Sequence, residues 1–179
     1  MIGRNHSVLT LMTLIVTLVI LILFFKLNLY GIHKDLRLVF WILLPVFVFL
    51  GSISPDSDVR RGKSLIYYVS LPFAYFMKTI EVSIAIISGH KIEHRGVLHK
   101  PIGVIITSLA IFIIIYFILF LVGHLNFYFA LYLALAFLVS QTLHIFQDKM
   151  YDKFGRISSL IFFVIVLIVV LGIVLWFFI

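Results

Sequence analysis

The chain has no cysteine, which excludes a disulfide, a thiolate metal site and a cysteine nucleophile together. Acidic side chains are nearly as scarce. There are seven Asp and Glu among 179 residues, against fourteen Lys and Arg, for a net charge of +7. Polar surface is lacking too: the chain is 64% hydrophobic with a mean hydropathy of +1.25. A soluble domain is about 45–50% apolar, so the composition excludes one and makes this an integral membrane protein. No internal repeat, low-complexity linker or shift in composition divides the chain, and residues 1–179 read as a single integral membrane domain. What it has in quantity is aromatic, with nineteen Phe and eight Tyr, as lipid-facing helices and interfacial belts require. In such a protein an excess of cations sets topology and meets anionic headgroups. Membrane lipids are therefore the expected partners, and nucleic acid is not.

Five apolar runs are long enough to cross a bilayer, for which about 20 helical residues suffice. They are Val8 to Phe25, Leu36 to Ile53, Ile102 to Val122, Leu125 to Phe146 and Ile157 to Ile179. The first follows Arg4 in the manner of a signal peptide, but no small-residue cleavage site follows it, so it reads as an uncleaved span. Pro45 interrupts the second, which membrane helices tolerate. Gly123-His124 forms a tight turn between the third and fourth. Leu65 to Ile87 is different, with Pro72, Lys78 and Glu81 in a less apolar run. It reads as an interfacial or re-entrant helical segment. The expected fold is all-α, a polytopic membrane helical bundle of about five transmembrane helices plus that segment.

Seven side chains at or just beyond the span ends are candidate metal ligands: His6, Asp56, Asp58, His94, His99, His144 and Asp148. Imidazole nitrogen and carboxylate oxygen are natural donors to divalent ions. His144 and Asp148 are four apart, one turn along one helix face. Asp56 and Asp58 sit in a turn after Pro55, which biases Ser54 out of the helical region. His94 and His99 flank Arg95 and Gly96, and Gly96 permits a sharp bend. Arg95 can present a planar fork to a phosphate, and Lys100 adds a second cation. Glu81 and Glu93 are spare candidates for a general base or an outer support.

Parity decides whether these residues meet. If Leu65 to Ile87 crosses once, His6, Asp56 and Asp58 lie on one face and the other four on the opposite one. If it does not, all seven converge, and its proline and charges favour convergence. On that arrangement Arg4, Arg60, Arg61, Lys63, Lys91, Arg95, Lys100, Lys149, Lys153 and Arg156 share the site's face, against Lys26, Lys34 and Arg37 on the other. Ten cations against three predict a site facing the cytoplasm in a multi-pass inner-membrane protein.

The order of these elements resembles a known family. An N-terminal His6 is followed by Gly51-x-x-x-Pro55-Asp56-x-Asp58, then His94-Arg95-Gly96-x-x-His99, then His144-x-x-x-Asp148. This looks like the YdjM family, labelled LexA-binding, inner-membrane-associated metal-dependent hydrolases. The resemblance covers about the first 150 residues, and the combined order is more specific than any one motif. The family is regarded as distantly similar to zinc-dependent phospholipase C and P1-type nucleases, which are helical enzymes that hold zinc clusters for phosphodiester hydrolysis. The resemblance implies that the seven residues are metal ligands or their immediate supports, and that zinc is the metal. There are departures: Asn5 stands where the family has Gly, and Leu98-His99-Lys100 where it has Thr-His-Ser.

The leading expectation is a membrane-embedded metal-dependent hydrolase of a phosphoester, with a lipid or lipid-linked phosphate as substrate. Seven candidate ligands exceed the three usual at one catalytic zinc, so two or more divalent ions are expected. Arg95 and Lys100 would then stabilise developing negative charge. A non-catalytic structural or regulatory protein whose metal staples its helices is the alternative. A divalent-metal transporter fits less well, because transporters place ligands near the bilayer midplane and these candidates lie at span ends.

Overall fold

The computed structural model describes residues 31–53, 65–89 and 100–178. They form four helices: α1 (Lys34–Ile53), α2 (Leu65–Ser88), α3 (Pro101–Leu121) and α4 (Phe127–Phe178), and no strand occurs among the described residues. The all-α expectation holds. Among the described residues three segments are long and apolar enough to cross a membrane: Lys34–Ile53, Pro101–Leu121 and Phe127–Phe146. The expected spans at Val8 to Phe25 and its flanking His6 lie outside the described residues.

Local chemistry sets the helix ends. Pro101 opens α3 at its first turn, where a missing N–H costs nothing and the fixed φ suits a helix. At its far end, Gly123 adopts φ +75°, a conformation glycine enters without the Cβ penalty. That residue lets Gly123 N–H donate to the Phe120 carbonyl (3.1 Å) and His124 N–H donate to Leu119 (2.9 Å). This paired pattern is the Schellman ending, which satisfies carbonyls the helix would otherwise orphan. Asn126 then caps α4, its Oδ1 accepting the Phe129 N–H at 2.8 Å. Its side-chain amide donates to the Gly31 carbonyl at 3.0 Å. One side chain thus starts α4 and ties it to the turn that precedes α1.

α1 and the first part of α4 run parallel. Gly31 meets Asn126, the Phe40 ring lies 5.8 Å edge-on from Phe129, and Ser140 Oγ donates to the Val48 carbonyl at 2.7 Å. Position numbers rise together along both helices. α3 runs antiparallel to α4, because Thr107 pairs with Gln141 while the Gly123 turn joins their other ends. Ile53 and Lys100 therefore lie at one end of the bundle, with His144. Gly31, His124 and Asn126 lie at the other.

The core between these helices is built on fours. Leu36, Phe40, Leu44 and Val48 of α1 are buried, as are Thr107, Ile111, Ile115 and Leu119 of α3. Such ridges pack against Phe129, Ala130, Leu133, Ala136 and Phe137 of α4. The opposite faces are equally apolar, with Leu38, Ile42, Ile105, Ile113 and Phe117 all more than half exposed. A helix apolar all round needs a hydrocarbon surrounding. Gly51 is where the backbones come closest. A Cβ there would stand 2.5 Å from the Phe137 carbonyl oxygen and 3.0 Å from Ser140 Cβ. Small residues permit such approach between membrane helices, where packing replaces the hydrophobic effect as the cohesive force.

α2 is one continuous helix through Pro72 and does not turn back within its 24 residues. Met77 and Ala85 are buried, and the Phe73 ring packs edge-on against Phe137 at 5.9 Å. Tyr75, Ile86 and Ile87 are exposed. Thr79 and Ser83 turn their hydroxyls back onto carbonyls four residues earlier, each at 2.9 Å, which keeps those groups satisfied without water.

The structure departs from the hydropathy pattern after Phe146. Two spans, Leu125 to Phe146 and Ile157 to Ile179, are expected with a break between them. Instead Phe127–Phe178 is a single helix of 52 residues. The intervening decad from Gln147 to Arg156 is charged but contains no proline and only one glycine, Gly155. Charge marks it as a connection, yet Lys, Gln, Met and Arg are good helix formers, and Asp152 and Arg156 are an (i, i+4) pair. At 1.5 Å per residue the helix is about 78 Å long, more than twice the roughly 30 Å hydrocarbon thickness. Along its distal part Ile161, Val164, Ile165 and Ile168 are each at least half exposed.

Candidate metal centre at one end of the bundle

The bundle end that holds His144 is built from polar residues placed inside apolar helices. Ser140, Gln141, His144 and Asp148 rise along α4 at helical spacing. Ser140 and Gln141 are fully buried, and His144 is 1% exposed. His144 Nε2 lies 3.7 Å from Asp148 Oδ2, and the Asp148 side chain is 18% exposed. The pair grades from a buried imidazole to a carboxylate reaching the edge. A separation of 3.7 Å is longer than a hydrogen bond. Two donors on one tetrahedral zinc, with bonds of about 2.0–2.2 Å, stand roughly 3.4 Å apart. A small side-chain rotation would seat both on one ion, so the pair suits a divalent metal as one nitrogen and one oxygen donor.

Two residues are too few for a site. Among the described residues no group of three or more His, Cys, Asp or Glu is gathered to hold a metal. His6, Asp56, Asp58, His94, His99 and Arg95 lie outside the described residues, as does Glu93. Of the expected set, the structure describes His144, Asp148 and Lys100. Lys100 is exposed and extended (φ −100°, ψ 150°), directly before α3, and its side chain makes no capping hydrogen bond.

A polar layer sits one turn inward and is not in the expected set. Thr107 Oγ1 lies 2.9 Å from Gln141 Oε1, 2.8 Å from the Gly103 carbonyl and 3.1 Å from that of Val104. A hydroxyl has one proton to give. If the Gly103 carbonyl takes it, Gln141 must turn its amide to donate, since its oxygen and nitrogen exchange by a simple flip. Among the described residues Gln141 Nε2 and Ser108 Oγ have no hydrogen-bond partner. Ser52, also fully buried, returns its hydroxyl to the Phe49 carbonyl at 2.8 Å. Polar groups cost free energy in hydrocarbon unless paired, and Ser140, at the close approach to Gly51, meets that cost by donating to the Val48 carbonyl. The signal in the sequence is two polar pairs, Thr107-Ser108 and Ser140-Gln141, inside otherwise apolar spans.

No protein-family model, curated protein or solved structure matches the chain.

Proposed function

We propose that the protein is a membrane-embedded metal-dependent hydrolase acting on a phosphoester, with a lipid or lipid-linked phosphate as substrate, at the cytoplasmic face. The observation that carries this reading is the His144–Asp148 pair, at 3.7 Å and graded from buried to exposed. It stands at the same bundle end as Ile53 and Lys100. These are the described residues nearest in sequence to Asp56 and His99, so the parallel course of α1 and α4 supports convergence of the motifs. With Ile53 and Lys100 at one end, residues 54–99 cross the bundle an even number of times or not at all. A position for Leu65 to Ile87 at the interface satisfies that condition. The resemblance to the YdjM family points the same way and suggests zinc, in two or more ions.

In this reading His144 and Asp148 hold one side of the metal centre, together with His6, Asp56, Asp58, His94 and His99. A divalent ion so held would supply Lewis acidity to a phosphoryl oxygen and to a water. Arg95 and Lys100 neutralise charge on the phosphate, Arg95 through its bidentate fork. Burial of His144 fixes its ring and excludes water from behind the site. The deep burial of His144 also suits a closed structural site that staples helices, in which all coordination positions are filled by protein.

Metal content by mass spectrometry on the detergent-purified chain, beside Asp56→Ala and His99→Ala, separates these readings. Two or more equivalents, lost in both variants, support a polynuclear site and justify a phosphoester screen. No metal under chelator-free conditions, or content unaffected by both changes, rejects the hydrolase. Metal retained with no turnover on any phosphoester favours the staple. Cysteines placed at Ser57 and Val97 test the topology separately: labelling from opposite membrane faces would rule out a single site.

A further inference from the structure

Between α3 and α4, at the His144 end, runs a groove of about 280 Å³. Val104, Ile105, Leu138, Ile145 and Phe146 form its apolar walls, and Lys149 closes one end opposite Pro101. Only Thr142 among its other lining residues is polar, and that hydroxyl is already given to the Leu138 carbonyl at 2.8 Å. The groove is therefore a hydrocarbon surface with one cation at its end. It lies within the part of α3 and α4 long and apolar enough to cross a membrane, and Ile105 and Phe146 on its rim are exposed.

Charge is concentrated where the groove reaches the bundle end. Lys149 and Lys100 are both exposed there, and α3 begins at Pro101, so its first-turn N–H groups and positive dipole end point the same way. Apolar walls at membrane depth beneath two ammonium groups and a helix start match a ligand with a hydrocarbon tail and an anionic head. Binding pockets for whole small molecules run to about 300–1,000 Å³, so this one fits part of a single acyl chain.

We infer that the α3–α4 groove is a binding site for an anionic bilayer phospholipid, seating one acyl chain against Val104, Ile105, Leu138 and Ile145 and its phosphate against Lys149 and Lys100. As a substrate seat it rests on the phosphoester reading above; as a lipid site it stands without turnover. The groove places the phosphate at the end of α4 that bears His144 and Asp148, neither of which lines it.

The test uses the full chain in nanodiscs with a phosphatidic acid carrying a diazirine on its acyl chain, and the same probe on phosphatidylcholine. Expected is labelling concentrated on the segments around Val104–Ile105 and Leu138–Ile145, stronger for the anionic lipid. Lys149→Gln should weaken apparent affinity about fivefold, as loss of one cation at a membrane surface does. Ile105→Trp and Thr142→Trp, both at exposed positions, should block labelling, while Ile113→Trp on the same helix should not. Label spread evenly over the lipid-facing helices, equal labelling of both lipids, or labelling indifferent to Ile105→Trp would overturn the inference. So would displacement of the probe by a polyprenyl phosphate at far lower concentration than by phosphatidic acid. The two readings fail separately. Groove labelling without phosphate release leaves the lipid site and removes the hydrolase; turnover with unchanged kcat and KM in Ile105→Trp does the reverse.

Discussion

The two ends of the bundle solve opposite problems. At the Asn126 end the chain satisfies its own backbone. Asn126 caps α4 and holds Gly31, Gly123 completes the ending of α3, and each polar contact is short. At the His144 end polar groups are spent differently. Gln141 and Ser108 are buried beyond what their described neighbours pair, His144 and Asp148 stand at ligand spacing, and Lys100 and Lys149 face outward. One end is finished by hydrogen bonds internal to the fold. The other gathers buried polar groups with an imidazole–carboxylate pair, the kind of intramembrane polarity on which a functional proposal can rest.

The sharpest break in that contrast is metal binding. His144→Ala should lower metal affinity by about 100-fold or more, since loss of even an outer supporting partner costs about 10–100-fold. Asn126→Ala should leave metal content at the wild-type level, measured on the same preparations. Equal metal in both variants would erase the functional distinction between the ends.

Gly31→Ala comes next and acts on the closed end. Gly31 holds φ +84°, and a Cβ would collide with the Tyr128 ring. A strained left-handed residue costs roughly 1–3 kcal/mol, and the collision adds to it, so thermal unfolding in detergent should show a clear fall in Tm. Gly51→Ala should cost about 1–3 kcal/mol by overpacking against Phe137 and Ser140, and it should also disturb metal binding because it wedges α1 from α4 beside the polar layer. If Gly51→Ala lowers Tm without touching metal content, the polar layer and the metal pair are independent.

Smaller still is Asn126→Ala itself, at about 1 kcal/mol for a lost cap, read as a modest drop in Tm. The smallest effect is expected from Gln141→Met, which removes a side-chain hydrogen bond averaging about 0.6 kcal/mol between membrane helices and also removes the buried amide nitrogen. Stability should stay within error of wild type. A loss of several degrees would show that Gln141 has a partner of greater worth.

Much of this contrast can be read in the sequence, and the reasons it fades are physical. The spacing of His144 and Asp148 is a helical repeat, so their shared face follows from period alone. The apolar runs at Leu36 to Ile53 and Ile102 to Val122 match α1 and α3 to within about two residues, because a bilayer sets both the length and the composition of its spans. Gly123 between two such runs already implies a reversal. Gly51 belongs to a motif whose spacing suggests a turn, and only the packed structure reveals it as the closest approach of two helices. Asn126 is legible as a polar residue before an apolar run, but its bond to Gly31 joins positions 95 apart and no local pattern carries it. The continuity of α4 through Gln147 to Arg156 was hidden for the opposite reason. Hydropathy reports what surrounds a segment, whereas helix continuity depends on backbone propensity, and the decad is hydrophilic without being helix-breaking.

That continuity makes α4 a lever. His144 sits in its packed half, and about 51 Å of unbroken rod separates it from Phe178. A tilt of only ten degrees about the packed segment would sweep the far end through roughly 9 Å on that length. The relation also runs backwards. Whatever grips the exposed Ile161, Val164, Ile165 and Ile168, bilayer or neighbouring helix, exerts a torque on the turn that carries His144 and Asp148, and so sets the angle at which the two side chains point.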